Sequence, residues 1–434
     1  MPRPPSGEAE MNTPAQTSAQ GGVCPVDLLA DERFHTAPHD QYRDMRARFG
    51  PVVPVEFAGF PAWLVIGYRE LHQVTSDPEL FPRDAGLWNQ WPNVPADWPL
   101  RPMLGERVPC VYFTVGEEHR RHTRLVNAVL EQTDSFELRR ETEELADRLI
   151  DAFCGRGAAD LVDEFAVALP ILTLARLAGF PDEDGPRIAR IIQRLSDAGP
   201  DATKANDEFG ESMRELLHSK RKEPGPDIAS RILAFDNSPD TPFTEEEMVW
   251  DLRAIVAAGY LQTTDWIGNS IRLMLTDVRF ATALGGARHS IAQAMNEVLW
   301  EDTPSQMLPN RWAARDTTLG GRVIRAGDLI LLGYGGANLD PHVRQDLTAG
   351  RTVVAAGNSA HLSFSHGEFR CPFPAQEIAE IIARTGIEVL LDRLPDLELT
   401  VPAESLVRRP SPFMRGFTSL PVRFTAVRTV GDHS

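Results

Sequence analysis

The stretch HLSFSHGEFRCPFPAQEIAEII, residues 361–382, decides the fold. Its first half is a glycine-containing loop that ends in Cys371. Its second half predicts a helix opening near Pro374 and Ala375, because proline is favoured in a first helical turn. A thiolate at a helix amino terminus is stabilised by the helix dipole and nearby amides, so the spacing predicts a lowered thiol pKa and a group ready to ligate a metal. Taken alone, a cysteine before a helix is more often a small buried hydrophobe than a ligand. The remaining cysteines, Cys24, Cys110 and Cys154, are scattered without the paired spacing of a zinc site, which suits a reducing compartment.

Upstream, Thr244 and Glu247 stand in capping-box spacing, and the chain then runs from Glu245 to about Thr276 without a proline. At ~1.5 Å per residue such a helix is nearly 50 Å long and must cross a whole domain. Length alone suggests two or three domains, since single cores stop growing at roughly 250–300 residues. The long helix argues instead for one large unit over residues 23–434. Residues 1–22 are rich in Pro, Ser, Gly and Ala and predict a disordered tail. VVPVEFAGFPAWLVI, residues 52–66, predicts two strands and a turn, and RVIRAGDLILLG, residues 322–333, predicts a second short hairpin turning at Ala326-Gly327. The expected class is mainly α with small β-sheets, without internal repeats.

Lys and Arg total 44 against 62 Asp and Glu, a formal charge of −18. Nucleic acid as the main partner is thereby disfavoured, since phosphate binding needs a basic footprint. No stretch approaches ~18–20 uninterrupted apolar residues, and the amino terminus lacks the apolar centre of a secretion signal, so a cytoplasmic protein without a membrane span is expected.

Residues 87–103, LWNQWPNVPADWPLRPM, carry Trp88, Trp91 and Trp98 among prolines that exclude a regular helix or central strand. Either this is a stiff loop whose indoles pack onto the core, or it is a rigid aromatic wall of a binding pocket.

Around Cys371, the placing of Phe364, Gly367 and Ala375 resembles the cysteine-ligand loop of the cytochromes P-450. The resemblance extends over nearly the whole chain from about residue 25. Ala258-Gly259 resembles the distal oxygen-binding helix, Asn296-Glu297-Val298-Leu299 the start of the E-x-x-R helix, and ANLDP (337–341) the usual A-N-x-D-P. His119 and Arg124 resemble basic residues that reach the haem propionates, as does Arg311, and Arg or His pairing with carboxylate suits that task. The resemblance implies a single-domain P-450 fold, haem b with Cys371 as axial ligand, external electrons from a ferredoxin and its reductase, and a monomer. HRRHTR (119–124) either supplies a basic docking face for that donor or only holds propionates and solvates a helix.

The chain departs from the family in several places. Trp300 replaces the E-x-x-R arginine, and no arginine stands a few residues before His361. A buried, unpaired Glu297 would be costly, so another group is expected to pair with it unless it reaches solvent. Leu261 and Gln262 occupy the usual acid and alcohol positions, with Thr263 next, leaving Gln262, Thr263, water or substrate to deliver protons. Pro372 and Pro374 remove two amides that commonly donate to the ligand sulfur, which predicts a more electron-rich thiolate. Phe369 replaces a usual propionate partner.

These departures resemble an actinobacterial branch whose members cross-link aromatic side chains of short ribosomally made peptides, the biarylitide type. That resemblance implies oxidative coupling of Tyr, Trp or His, with Trp88, Trp91, Trp98, Phe413, Met414 and Arg415 lining a peptide-sized pocket. Arg415 either meets a peptide carboxylate or lies in solvent. The alternatives are hydroxylation or epoxidation of a small secondary metabolite such as a macrolide or terpenoid, and a catalytically impaired haem-binding partner or sensor.

Overall fold

Glu245–Thr276 forms the expected helix, opened by a capping box in which Thr244 Oγ1 accepts from the Glu247 amide at 3.2 Å and the Glu247 carboxylate accepts from the Thr244 amide at 2.7 Å. Its side chains are buried on nearly every face, which a solvent-exposed helix could not sustain. It packs against the helices Ala168–Ala178, Ala202–Lys222, Arg288–Glu301 and Phe373–Arg393, and the largest apolar core surrounds it. This computed structural model describes residues 26–27, 33–96, 98, 100–104, 108–196, 201–235, 242–277, 280, 288–344 and 358–431. The expected tail, residues 1–22, lies outside the described residues.

A five-stranded sheet lies beside the helices in the order Val26–Asp27, Val52–Phe57, Phe60–Val65, Leu329–Leu332, Leu308–Trp312. The first predicted hairpin forms: Val52 to Phe57 pairs antiparallel with Phe60 to Val65. Its turn residues Ala58 and Gly59 both have positive φ, the twist that two-residue hairpins favour. The second does not form as expected. Arg322–Ile324 pairs with Thr317–Leu319 across Gly320-Gly321, both at positive φ, whereas Leu329–Leu332 joins the large sheet between Phe60–Val65 and Leu308–Trp312. Two adjacent glycines at φ > 0 win the turn. Gly327, at φ 80°, only hands the chain from one sheet to the other.

Among the described residues no helix is long and apolar enough to cross a membrane.

Candidate functional site

The cysteine loop is held by backbone constraints. The Cys371 amide donates to the Phe364 carbonyl at 2.9 Å, and Gly367 adopts φ 73°. A Cβ on Gly367 would lie 2.0 Å from the Thr75 carbonyl oxygen, so only glycine fits. Phe364 stacks edge-on against Trp266 of the long helix with centroids 5.9 Å apart, which brings the loop beneath that helix. Ala375 packs on the core, and the helix Phe373–Arg393 starts directly after Pro372. No N–H among the described residues donates to Cys371 Sγ. Its one hydrogen bond is donated to the Pro372 carbonyl at 3.8 Å. The expected lowering of the thiol pKa is not found, because burial pushes it up to about 12. A metal cation at the sulfur would remove the proton outright.

A second group gathers around Phe369. The Arg83 and Arg311 guanidiniums lie 4.9 and 4.6 Å from its ring centroid, and the His119 ring lies 4.7 Å away. All three are buried. Arg311 Nη1 donates to the Asn310 carbonyl and Oδ1, both at 3.0 Å, while its Nε and Nη2 have no partner among the described residues. Burial, and then Arg83, lower its pKa to about 9. His119 Nδ1 meets the Val111 carbonyl at 3.0 Å, and burial, then Arg83, pulls the imidazole down to about 4.

Arg124 does not join them. Five residues along a helix is about 140° round from His119, so Arg124 is exposed and faces Glu117 at 3.4 Å. Thr123, four residues on, is the neighbour on the His119 face, with Oγ1 3.3 Å from Nε2. The rest of HRRHTR is likewise matched by acids: Arg120 by Glu117, Arg121 by Glu247.

On the long helix Ala258 is exposed although Val256 and Tyr260 beside it are each 1% exposed. Leu261 and Gln262, three and four residues on, share its face. Gly259 points elsewhere: a Cβ there would meet Leu174 at 3.1 Å, so this glycine admits the helix Ala168–Ala178. Thr263 is buried, and its hydroxyl donates to the Gly259 carbonyl at 2.6 Å within its own helix. Gln262 Oε1 is buried without a partner.

Glu297 is buried and paired, as expected, but by a residue that no motif marks: Arg344 donates to it at 2.7 Å. The Trp300 ring lies under the same guanidinium at 5.4 Å, and its Nε1 donates to the Asn358 carbonyl at 2.8 Å.

The tryptophans pack onto the core. Trp88 and Trp98 are buried and contact Phe60 at 5.3 and 5.4 Å, with Trp91 against Trp88 at 5.1 Å. Phe413 stacks on Phe57 at 5.8 Å, and Met414 forms an isolated β-bridge with Ser305. Arg415 corrects both readings offered for it: it is buried and pairs with Asp302, which also takes Arg272 and Arg408. Burial alone would raise the Asp302 pKa, but Arg408, Arg415 and Arg272 hold it well below the usual carboxylate range.

The thiolate-ligated haem b that the resemblance implies would need a cysteine ligand and donors for two propionates. A cysteine at a helix head, and buried guanidinium N–H groups without partners on Arg311 and Arg83, fit that demand. Among sequences and structures, no family model matches the chain. Cytochrome P450 107B1 of Saccharopolyspora erythraea is 30% identical over 92% of this chain and 98% of its own length. The mycinamicin IV hydroxylase/epoxidase of Micromonospora griseorubida is 29% identical over 84% and 90%. The crystal structure of CYP154C4 from a Streptomyces species superposes with a TM-score of 0.81 at 25% identity, covering 93% of this chain and 99% of that one. Likeness at this level, spanning both chains almost end to end, places the chain in the cytochrome P450 superfamily, whose cofactor is haem b with an axial cysteine thiolate.

Proposed function

We propose that this P450 uses Cys371 as its axial ligand and inserts oxygen into a small secondary metabolite, by hydroxylation or epoxidation of a macrolide-like ring. The observation that carries the site is the Trp266–Phe364 contact, which sets the exposed Ala258 face of the long helix over the cysteine loop. The likeness to a mycinamicin hydroxylase/epoxidase supports the substrate class. Bound haem supplies dioxygen activation. The chain supplies the rest: Ala258 and Leu261 leave an apolar surface for substrate, Gln262 Oε1 accepts from and orients a water, and Arg311 holds a propionate. Positioned proton donors are typically worth ~100- to 10,000-fold, so the orientation of that water governs turnover.

A ferredoxin and its reductase are the proposed electron source. Docking rests on a face where Phe373 is 60% exposed two residues after Cys371, with Arg370 stacked on its ring at 3.8 Å. A second reading is oxidative cross-linking of an aromatic peptide, favoured by Leu261 and Gln262 at the distal positions and Trp300 beside Glu297.

The test is turnover with a ferredoxin system on macrolactones and on aromatic pentapeptides. A product that gains one oxygen atom supports the first reading, and a peptide that loses two hydrogens supports the second. Conversion of neither class with any donor overturns both and favours a haem-binding partner or sensor.

A further inference from the structure

Two cations sit buried around one ring, that of Phe369. Arg83 is 8% exposed and Arg311 is 1% exposed, and among the described residues neither forms an ion pair. Burying one guanidinium is unfavourable, and burying two against one ring is more so, unless an anion meets both. Arg83 is nevertheless fixed in place. Its guanidinium lies between the rings of Tyr112 and Phe369, 4.8 and 4.9 Å from their centroids. Nη1 donates to the Tyr112 carbonyl at 3.1 Å and Nη2 to the Phe369 carbonyl at 3.0 Å, while Nε has no partner. Such stacking and forked donation pre-organise arginine for a carboxylate.

One position nearby explains why a cation is needed there. Phe369, two residues before Cys371, carries no charge. His119 lies 4.7 Å from the same ring, with its Nδ1 held at the Val111 carbonyl at 3.0 Å. The ring of Phe369 instead serves as a platform on which Arg83 and Arg311 stack.

We propose that Arg83 is a propionate-binding residue of the haem site, acting with Arg311 beside Phe369, a position that itself carries no charge. The inference rests on haem binding and is independent of the substrate class. Arg83 reaches the site from the loop after the helix Tyr68–Ser76, so that loop is tied to cofactor loading. The same loop begins beside Thr75, whose carbonyl lies under Gly367. Haem would therefore link both sides of the cysteine loop.

The test compares reconstitution of the apoprotein with haem and with haem dimethyl ester, whose propionates carry no charge. Wild type is expected to hold haem more tightly than the ester. Arg83→Ala is expected to lose haem affinity about 10- to 100-fold while ester affinity changes little, so that the discrimination shrinks. Arg83→Lys keeps the charge and is expected to restore part of it. Should Arg83→Ala yield too little protein, Arg83→Gln and Arg83→Lys give the same comparison. An equal loss for haem and ester, or a lysine variant no better than glutamine, overturns the proposal and leaves Arg83 a purely structural residue. Because no turnover is measured, failure here is distinct from failure of the proposed reaction.

Discussion

Arg344 donates to Glu297 at 2.7 Å, and both side chains are buried, 5% and 3% exposed. The guanidinium that completes the Glu297 helix thus comes from just beyond Asp340-Pro341, while Trp300 provides a ring face for it. Removing one member of a buried pair leaves the other charge uncompensated. Arg344→Ala is therefore expected to destabilise the holoprotein by about 3–5 kcal/mol, and the paired change Arg344→Leu with Glu297→Leu by clearly less. Urea unfolding followed by haem absorbance measures both. A double variant no more stable than the single would show that the charges are not coupled.

Pro372→Leu restores a backbone N–H one residue after the cysteine, at a sulfur that now receives no N–H donor among the described residues. A new donor stabilises the thiolate and withdraws charge from it. The midpoint potential is expected to rise, read by spectroelectrochemical titration of the holoprotein. A potential that stays or falls would show that the residue 372 amide does not reach the sulfur.

Acid should weaken the fold through His361. Burial lowers its pKa from 6.5 to about 4, where it packs edge-on to Trp300 at 5.8 Å. The unfolded chain then binds the proton first, so stability is full above pH 6.5 and is lost as pH falls toward 4, by up to about 3 kcal/mol for a shift of this size. Asp265 acts with the opposite sign over much of the same window. Burial raises it from 3.8 to about 7 against the pull of Arg409 and Arg408, so its contribution falls as pH rises. Urea midpoints at pH 7 and 5 for wild type and His361→Phe isolate the histidine: the variant is expected to lose less on acidification. Equal losses would mean that His361 is protonated in the folded state.

Local pattern reported the parts of this site that local physics determines. The long helix announces itself through Thr244, Glu247 and an unbroken run, and the cysteine loop through Gly367, where a Cβ would strike the Thr75 carbonyl oxygen. What escaped depends on tertiary placement. Arg83 and Arg344 are lone arginines in loops, and only folding brings them to Phe369 and Glu297. Arg124 could have been set aside from sequence, since its spacing from His119 turns it to the other side of the helix. Arg415 was open to either a peptide carboxylate or solvent because Asp302, its actual partner, lies over a hundred residues away.

Gln262, rather than Thr263, is expected to control turnover. The Thr263 hydroxyl is 1% exposed and already donates to the Gly259 carbonyl at 2.6 Å. Its proton is thus committed inside the helix. Among the described residues Gln262 Oε1 has no partner, and it sits one turn beyond the exposed Ala258, on the face proposed to lie over the cysteine loop. An amide is not an acid at neutral pH, so it acts by orienting a water that carries the proton. Gln262→Ala is then expected to lower the yield of product per electron pair consumed by about 100-fold, the low end for positioned proton transfer. Thr263→Val should change that yield less than about fivefold, since a hydroxyl bonded to its own helix contributes only ~1 kcal/mol. Coupling, measured as product formed against NADPH oxidised, distinguishes the two variants from a simple loss of haem, which the absorbance of the same samples reports. If Thr263→Val uncouples the enzyme and Gln262→Ala does not, the helix must rotate or release that hydroxyl during turnover, and Gln262 is only a wall of the site.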